Sequence, residues 1–282
     1  MTSTDGLSRR LKLRNEYDVF ESSRNPGQHT LRQGGIVLRV RFDLCPASSL
    51  EPIPIPIPTD FRRHFISFIK TLLLKSPYYE RFNKDKPGYS PYAFGVKFGR
   101  VLETLSENGT MMVRAPVSVI FSTGLYDLMT DVCNAAITMK GKDAVLGLQL
   151  NNITLMPNRE FRSDTVEFRT VGHLVLRGQN GYLAPSDKAT LEEAINTHLR
   201  IRQAFLRENY PGLNEIPLDP VILRDYSQFH KGVCEHYGGK ITTLRGSFTL
   251  SGDPRCLQFI YDYGLGVRSG QGFGLLEVVK EL

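Results

Sequence analysis

Apolar and polar positions change period repeatedly along this chain, and the changes mark out two similar runs of elements. Ile36 to Phe42 alternates apolar with basic residues, the two-residue period of a half-buried strand. Pro52, Pro54, Pro56 and Pro58 then interleave with isoleucines, which enforces an extended segment and forbids a helix before Thr59. From Thr59, read as the cap, a helix is predicted to about Lys75, with Phe61, Phe65, Phe68, Ile69, Leu72 and Leu73 as its buried stripe. Strands are predicted at Tyr89–Phe98, Thr110–Phe121 and Val145–Leu155, with a second helix at Gly124–Met139 between the last two. The second run repeats the order. Val166–Arg177 reads as a strand, or a hairpin with Tyr182-Leu183, and Lys188–Asn209 as a helix. Val221–Phe229 and Ile241–Leu250 read as strands, Pro254–Tyr263 as a short helix and Leu275–Val279 as the last strand.

Strand, helix, strand, strand, helix, strand, occurring twice, is an α+β pattern of two tandem ferredoxin-like βαββαβ domains. The expected division is residues 35–158 and 159–282, joined near Asn158 to Asp164. Residues 1–34 are polar and basic without a sustained period, and are expected to form a weakly ordered extension or a short hairpin.

Between the short helix and the last strand lies Gly264-Leu265-Gly266-Val267-Arg268-Ser269-Gly270-Gln271-Gly272-Phe273-Gly274, five glycines in eleven residues. Such backbone approaches a ligand closely, and several N–H groups can converge on one anion. A dinucleotide-binding turn or a P-loop runs strand first and then helix, so this loop is neither. The pattern Gly-x-Gly, five residues, Gly-x-Gly resembles the C-terminal signature of the RAMP superfamily of CRISPR-associated RNA-binding proteins. Within it the chain is most similar to the CRISPR repeat-processing endoribonucleases, the sixth Cas family. Gly264, Gly266, Gly272 and Gly274 fill the four glycine positions, with Leu265 and Phe273 between them. Pro56 to Leu74 and Pro91-Tyr92-Ala93-Phe94 are softer likenesses, and residues 36–282 are covered. The chain departs from the family near His173, where relatives often carry Ser-Pro, at Phe82-Asn83-Lys84, where many have a histidine, and in its leading extension.

Composition sharpens this reading in two places. Residues 60–100 hold nine Lys and Arg against three Asp and Glu, an excess equal to the +6 of the whole chain. Charge gathered in one segment points to a polyanionic partner. Cys45, Cys133, Cys234 and Cys256 form no Cys-x-x-Cys pair, which argues against a zinc or disulfide framework and fits a reducing cytoplasm. No apolar run approaches a membrane span, and the first residues lack the apolar core of a signal peptide. Gly-x-Ser-x-Gly and His-Glu-x-x-His are both missing, which excludes the serine-hydrolase and zincin patterns.

The resemblance implies metal-independent cleavage of CRISPR precursor RNA within each repeat, with no cofactor. The RNA's 2′-hydroxyl attacks the adjacent phosphate and leaves a 2′,3′-cyclic phosphate. Such chemistry needs proton transfer, charge stabilisation and in-line positioning. His64, on the first helix with Ser67 and Thr71, is the expected proton-transfer group, since imidazole titrates near neutrality. Lys70 and Lys75 are expected to offset charge on the phosphate. Arg62, Arg63, Arg245, Arg268, Gly264, Gly266, Gly270, Gly272 and Gly274 are expected to hold the RNA, arginine gripping phosphate as a fork. His230, Lys231, His236 and Lys240 surround a predicted hairpin turn at Tyr237-Gly238-Gly239, while His29, His173 and His198 read as structural. Repeat RNA is the expected partner, and the resemblance allows a homodimer and association with an effector complex. The alternative is a non-catalytic RAMP-type RNA-binding subunit of such a complex.

Overall fold

The computed structural model describes residues 38–47, 54–77, 79, 89–105, 109–210 and 219–282. The leading extension, Pro52, Tyr78 and the Phe82-Asn83-Lys84 segment lie outside these.

In the first half, β1 (Leu38–Pro46), α1 (Arg62–Leu73), β3 (Ala93–Leu105), β4 (Thr110–Thr123), α2 (Tyr126–Met139) and β6 (Leu148–Leu155) follow the expected order. The sheet runs β3-β4-β1-β6, with β5 (Asp143–Val145) on the free edge of β6. The proline segment forms β2 (Pro54–Pro58), paired with residues 110–114 of β4. Proline has no N–H, so an alternating Pro-Ile strand can donate only from its isoleucines, which suits an edge. Ile55 and Ile57 are buried and the intervening Pro56 is exposed. Helices α1 and α2 cover one face, and Phe42, Phe65, Phe68, Phe94 and Phe121 fill the core beneath them.

The second half is built from β7 (Thr165–Thr170), α3 (Lys188–Asn209), β10 (Ile222–Asp225), β13 (Ser247–Ser251), α4 (Pro254–Tyr263) and β14 (Leu276–Glu281). Its sheet order, β10-β13-β7-β14, is the order of the first half read element for element. Both halves are ferredoxin-like. Asp187 caps α3 by accepting from the Thr190 N–H at 2.9 Å, and Asp253 with Pro254 opens α4.

Several boundaries differ from the sequence pattern. Phe61, not Thr59, precedes α1, with no side-chain cap, while the Thr59 hydroxyl bonds the Gly109 carbonyl and the Glu235 carboxylate. Ile241–Leu250 is two strands, β12 (Gly239–Arg245) and β13, because Gly246 packs onto the Gln228 carbonyl and turns the chain between sheets. Val221–Phe229 likewise ends at Asp225, and β11 (His230–His236) starts afresh to pair with β12 around Tyr237-Gly238. A small hairpin, β8 (Arg177–Gly178) with β9 (Gly181–Tyr182), precedes α3.

The halves are parts of one compact unit. Ala93 and Ile120 from the first meet Val171 and Leu275 from the second in an apolar seam. Buried Arg39, on β1, crosses that seam. It donates to the carbonyls of Tyr261 and Leu276, and its guanidinium lies 3.4 Å over the Tyr261 ring.

Candidate functional site

The glycine loop runs from α4 to β14 along the junction of the halves. Five of its amides are engaged by the protein's own carbonyls: Leu265 N–H by Gly274, Val267 by Val175, Gln271 by Arg268, Gly272 by Ser269 and Gly274 by His173. Side chains would collide where the glycines stand. A Cβ on Gly266 would run into the Val175 carbonyl and one on Gly274 into the Leu265 carbonyl, both at positive φ. One on Gly264 would lie 2.8 Å from the Ala93 Cβ, and one on Gly272 3.2 Å from the Phe94 ring. One on Gly270 would meet the Ser90 hydroxyl. This corrects the expectation of a bare cradle of amides. The loop is a wedge packed against β3 and residues 173–176, and only Val267, Arg268, Gly270 and Gln271 keep partial exposure. Buried Arg202, from α3, holds its first turn by donating to the carbonyls of Tyr263, Gly264 and Gly266.

Arg268 is likewise engaged inside the fold. It donates through Nε and Nη2 to the Tyr182 hydroxyl at 3.1 and 2.7 Å, and through Nη1 to Gln271 Oε1 at 2.7 Å. Since Gln271 Oε1 is an acceptor there, the His236 Nε2 that meets it at 2.9 Å carries the proton. His236 stands edge-on to Phe273 at 5.3 Å, and burial lowers its proton affinity.

Helix α1 begins beside this wedge. Arg62, expected as an exposed phosphate contact, is 4% exposed. Its guanidinium is held between the rings of Phe61 at 4.7 Å and Phe273 at 4.6 Å. It reaches the Cys234 thiol on β11, and burial pushes its own pKa down. Arg63 is exposed, near Asp60 at 3.7 Å, and its Nε donates to His64 Nε2 at 3.3 Å. His64 is half-buried at the rim of the solvent face of α1, which also carries Ser67, Lys70 and Thr71. Six residues separate His64 from Lys70, about 9 Å along the axis and about 120° around it. Lys75 follows the helix, exposed. The three form no hydrogen-bonded cluster, but His64 and Lys70 flank one strip of exposed helix.

The hairpin of β11 and β12 closes the site opposite. Arg245 is exposed at the end of β12, paired with His230. His173 had been read as merely structural. It lies beside this pair, its Nδ1 2.8 Å from the Thr243 hydroxyl, and burial together with the Arg62 and Arg245 charges lowers its pKa to about 4. His198 does take a structural place, bridging the Tyr89 hydroxyl and the Arg177 backbone. Gln271, Tyr182 and Cys234 were missed, because only folding makes them neighbours of the arginines. The single sequence cue was the small residue at Gly232, where a Cβ would lie 2.8 Å from His173 Nδ1.

Residues 156–278 match the family model described as CRISPR associated protein Cas6, C-terminal. No curated protein matches the sequence. Among solved structures, the fold is shared with one described as an RAMP protein binding different RNA substrates, at TM-score 0.68 and 17% identity, covering 86% of this chain and 100% of that one. A protein described as a Cas6-related gene from Pyrococcus furiosus superposes at TM-score 0.67 with 15% identity, covering 87% and 100%. A Thermus thermophilus Cas6 product complex does so at 0.60 with 15% identity, covering 86% and 100%. The likeness first read from the glycine loop is therefore matched by the family model and by the fold. The model is described as Cas6, and the solved structures share the fold.

Proposed function

We propose that this protein binds CRISPR repeat RNA and cleaves it within the repeat by metal-independent transesterification. The observation that carries the reading is that α1, whose solvent-facing side carries His64 and Lys70, starts against the glycine loop within the span that matches the Cas6 C-terminal model, Arg62 lying on Phe273. In this account His64 takes the 2′-hydroxyl proton or returns one to the leaving 5′-oxygen, a role that an imidazole can fill as base or acid. Lys70, with Lys75 behind it, offsets the charge that builds on the phosphate oxygens. Arg63 and Arg245, both exposed, hold the RNA backbone on either side. The glycine loop acts by fixing the junction on which these elements stand. Its tip, at Arg268 and Gly270, is the part left to meet RNA.

The separation of His64 from Lys70 favours a second reading, an RNA-binding subunit that does not cleave. A repeat-containing RNA incubated with the protein in EDTA distinguishes the two. Cleavage giving a 2′,3′-cyclic phosphate and a 5′-hydroxyl, and lost when the attacking 2′-hydroxyl is replaced by hydrogen, is the expected result. Intact but bound RNA at every protein concentration would establish the second reading instead.

A further inference from the structure

Buried Arg62 poses a physical problem that the fold does not solve. It stands at the N-terminus of α1, where the helix dipole disfavours a cation. No carboxylate among the described residues lies within ion-pair distance, and its buried Nε has no partner. A buried charge answered only by two aromatic faces, a thiol and the more distant field of Asp60 is costly, and an apolar side chain of similar size would suit stability better. Its Nη2 reaches 3.9 Å from where a Cβ on exposed Gly172 would stand, so the charge is directed at the surface beside His173.

What lies there is also cationic. A bridge between Leu174 and Leu244 places His173 opposite Arg245, and strand register places His230 opposite Arg245. Residues opposite one another leave an antiparallel ladder on the same side, so all three share one face of the hairpin. The His173 ring is fixed there by Thr243, in space that only a glycine at 232 leaves open.

We propose that Arg62, His173, His230 and Arg245 form a single pocket for one phosphodiester group of the bound strand. Arg62 is its fixed buried charge and Arg245 the fork that closes from solvent. The proposal rests on the RNA reading above and assigns the histidine held neutral between two arginines to the anion those arginines lack. An anion placed among them would raise the proton affinity of His173, reversing the effect of its cationic neighbours.

The test follows the His173 ring proton by NMR in histidine-labelled protein, identified by its loss in His173→Gln. The protein is titrated alone, with a single-stranded repeat RNA and with inorganic phosphate. The expected result is a His173 midpoint that climbs by about one unit or more when RNA is bound. In parallel, Arg245→Met is expected to weaken RNA binding about tenfold and to lower the slope of log affinity against log salt by about one. Saturating RNA that leaves the His173 midpoint and the Arg245→Met salt slope unchanged would overturn the pocket. A response of His173 to inorganic phosphate in a protein that binds no RNA would uphold the pocket and overturn the RNA reading.

Discussion

Arginine and aspartate side chains in this protein carry opposite consequences once buried. Arg39 and Arg202 are at most 3% exposed, yet each donates to backbone carbonyls at the junction, so burial is offset by hydrogen bonds. Asp262 is buried near Arg39 and accepts from Gln258, but desolvation still raises its pKa to about 7. The folded protein therefore holds a proton that the unfolded chain, with an ordinary value of 3.8, gives up. This group's contribution to stability is fully present below about pH 4 and is lost as pH rises through 7. At about 1.4 kcal/mol per unit, the swing is at most roughly 4 kcal/mol. Urea unfolding of Asp262→Asn should show a variant that gains on the parent steadily between pH 4 and pH 7. A difference independent of pH would mean that Asp262 is ionised in the fold. For His173 the sign is opposite. Its lowered pKa gives stability above about pH 6.5 that disappears as pH falls toward 4, and His173→Gln should flatten that acid limb.

At the scale of elements, the glycine loop divides into positions where a methyl group would meet backbone and positions where it would meet a side chain. Gly266→Ala sets a Cβ against a backbone carbonyl at positive φ, and neither can move cheaply, so a loss of about 3 kcal/mol or more is expected. Gly270→Ala, with no positive φ to strain it, meets the Ser90 side chain, its hydroxyl and, at 2.8 Å, its Cβ, and a smaller loss of about 1–2 kcal/mol is expected. Chemical denaturation of the two variants checks the contrast, and equal losses would refute the wedge description. The periodic elements were legible in the chain. Lys188–Asn209 was read to its ends, and the Tyr237-Gly238 turn from its residues alone. Strand ends failed where a glycine transfers the chain from one sheet to another, as at Gly246, because apolar alternation continues across the break. The exposures of the candidate site residues were not legible in the chain. Arg62 and Arg63 look alike in sequence, yet Phe61 and Phe273 bury the first and leave the second in water. The same holds for the glycines, whose pattern spoke for a close approach without saying that the approaching partner is the protein's own backbone.

For the molecule as a whole, two ferredoxin-like halves act together only if their junction is rigid, and Arg39 reaches across it. Arg39→Met would leave the Tyr261 and Leu276 carbonyls short of a donor inside the seam, at about 1–3 kcal/mol each. Calorimetry should then show a lower melting temperature and a broader transition as the halves uncouple, whereas an unchanged single transition would show that the apolar seam suffices. The basic segment between residues 60 and 100 acts at this scale too. Arg63, Lys70 and Lys75 in the first half and Lys231 and Arg245 in the second are all exposed, so both halves offer positive charge to the RNA proposed above.

Single-turnover cleavage of repeat RNA by His64→Ala, measured beside its binding affinity, tests the central claim most directly. General acid–base catalysis by one side chain contributes about 10²–10⁴ in rate, so the expected result is a loss of at least about 100-fold with affinity within about threefold of the parent. Cleavage by the variant at the parental rate would contradict the account.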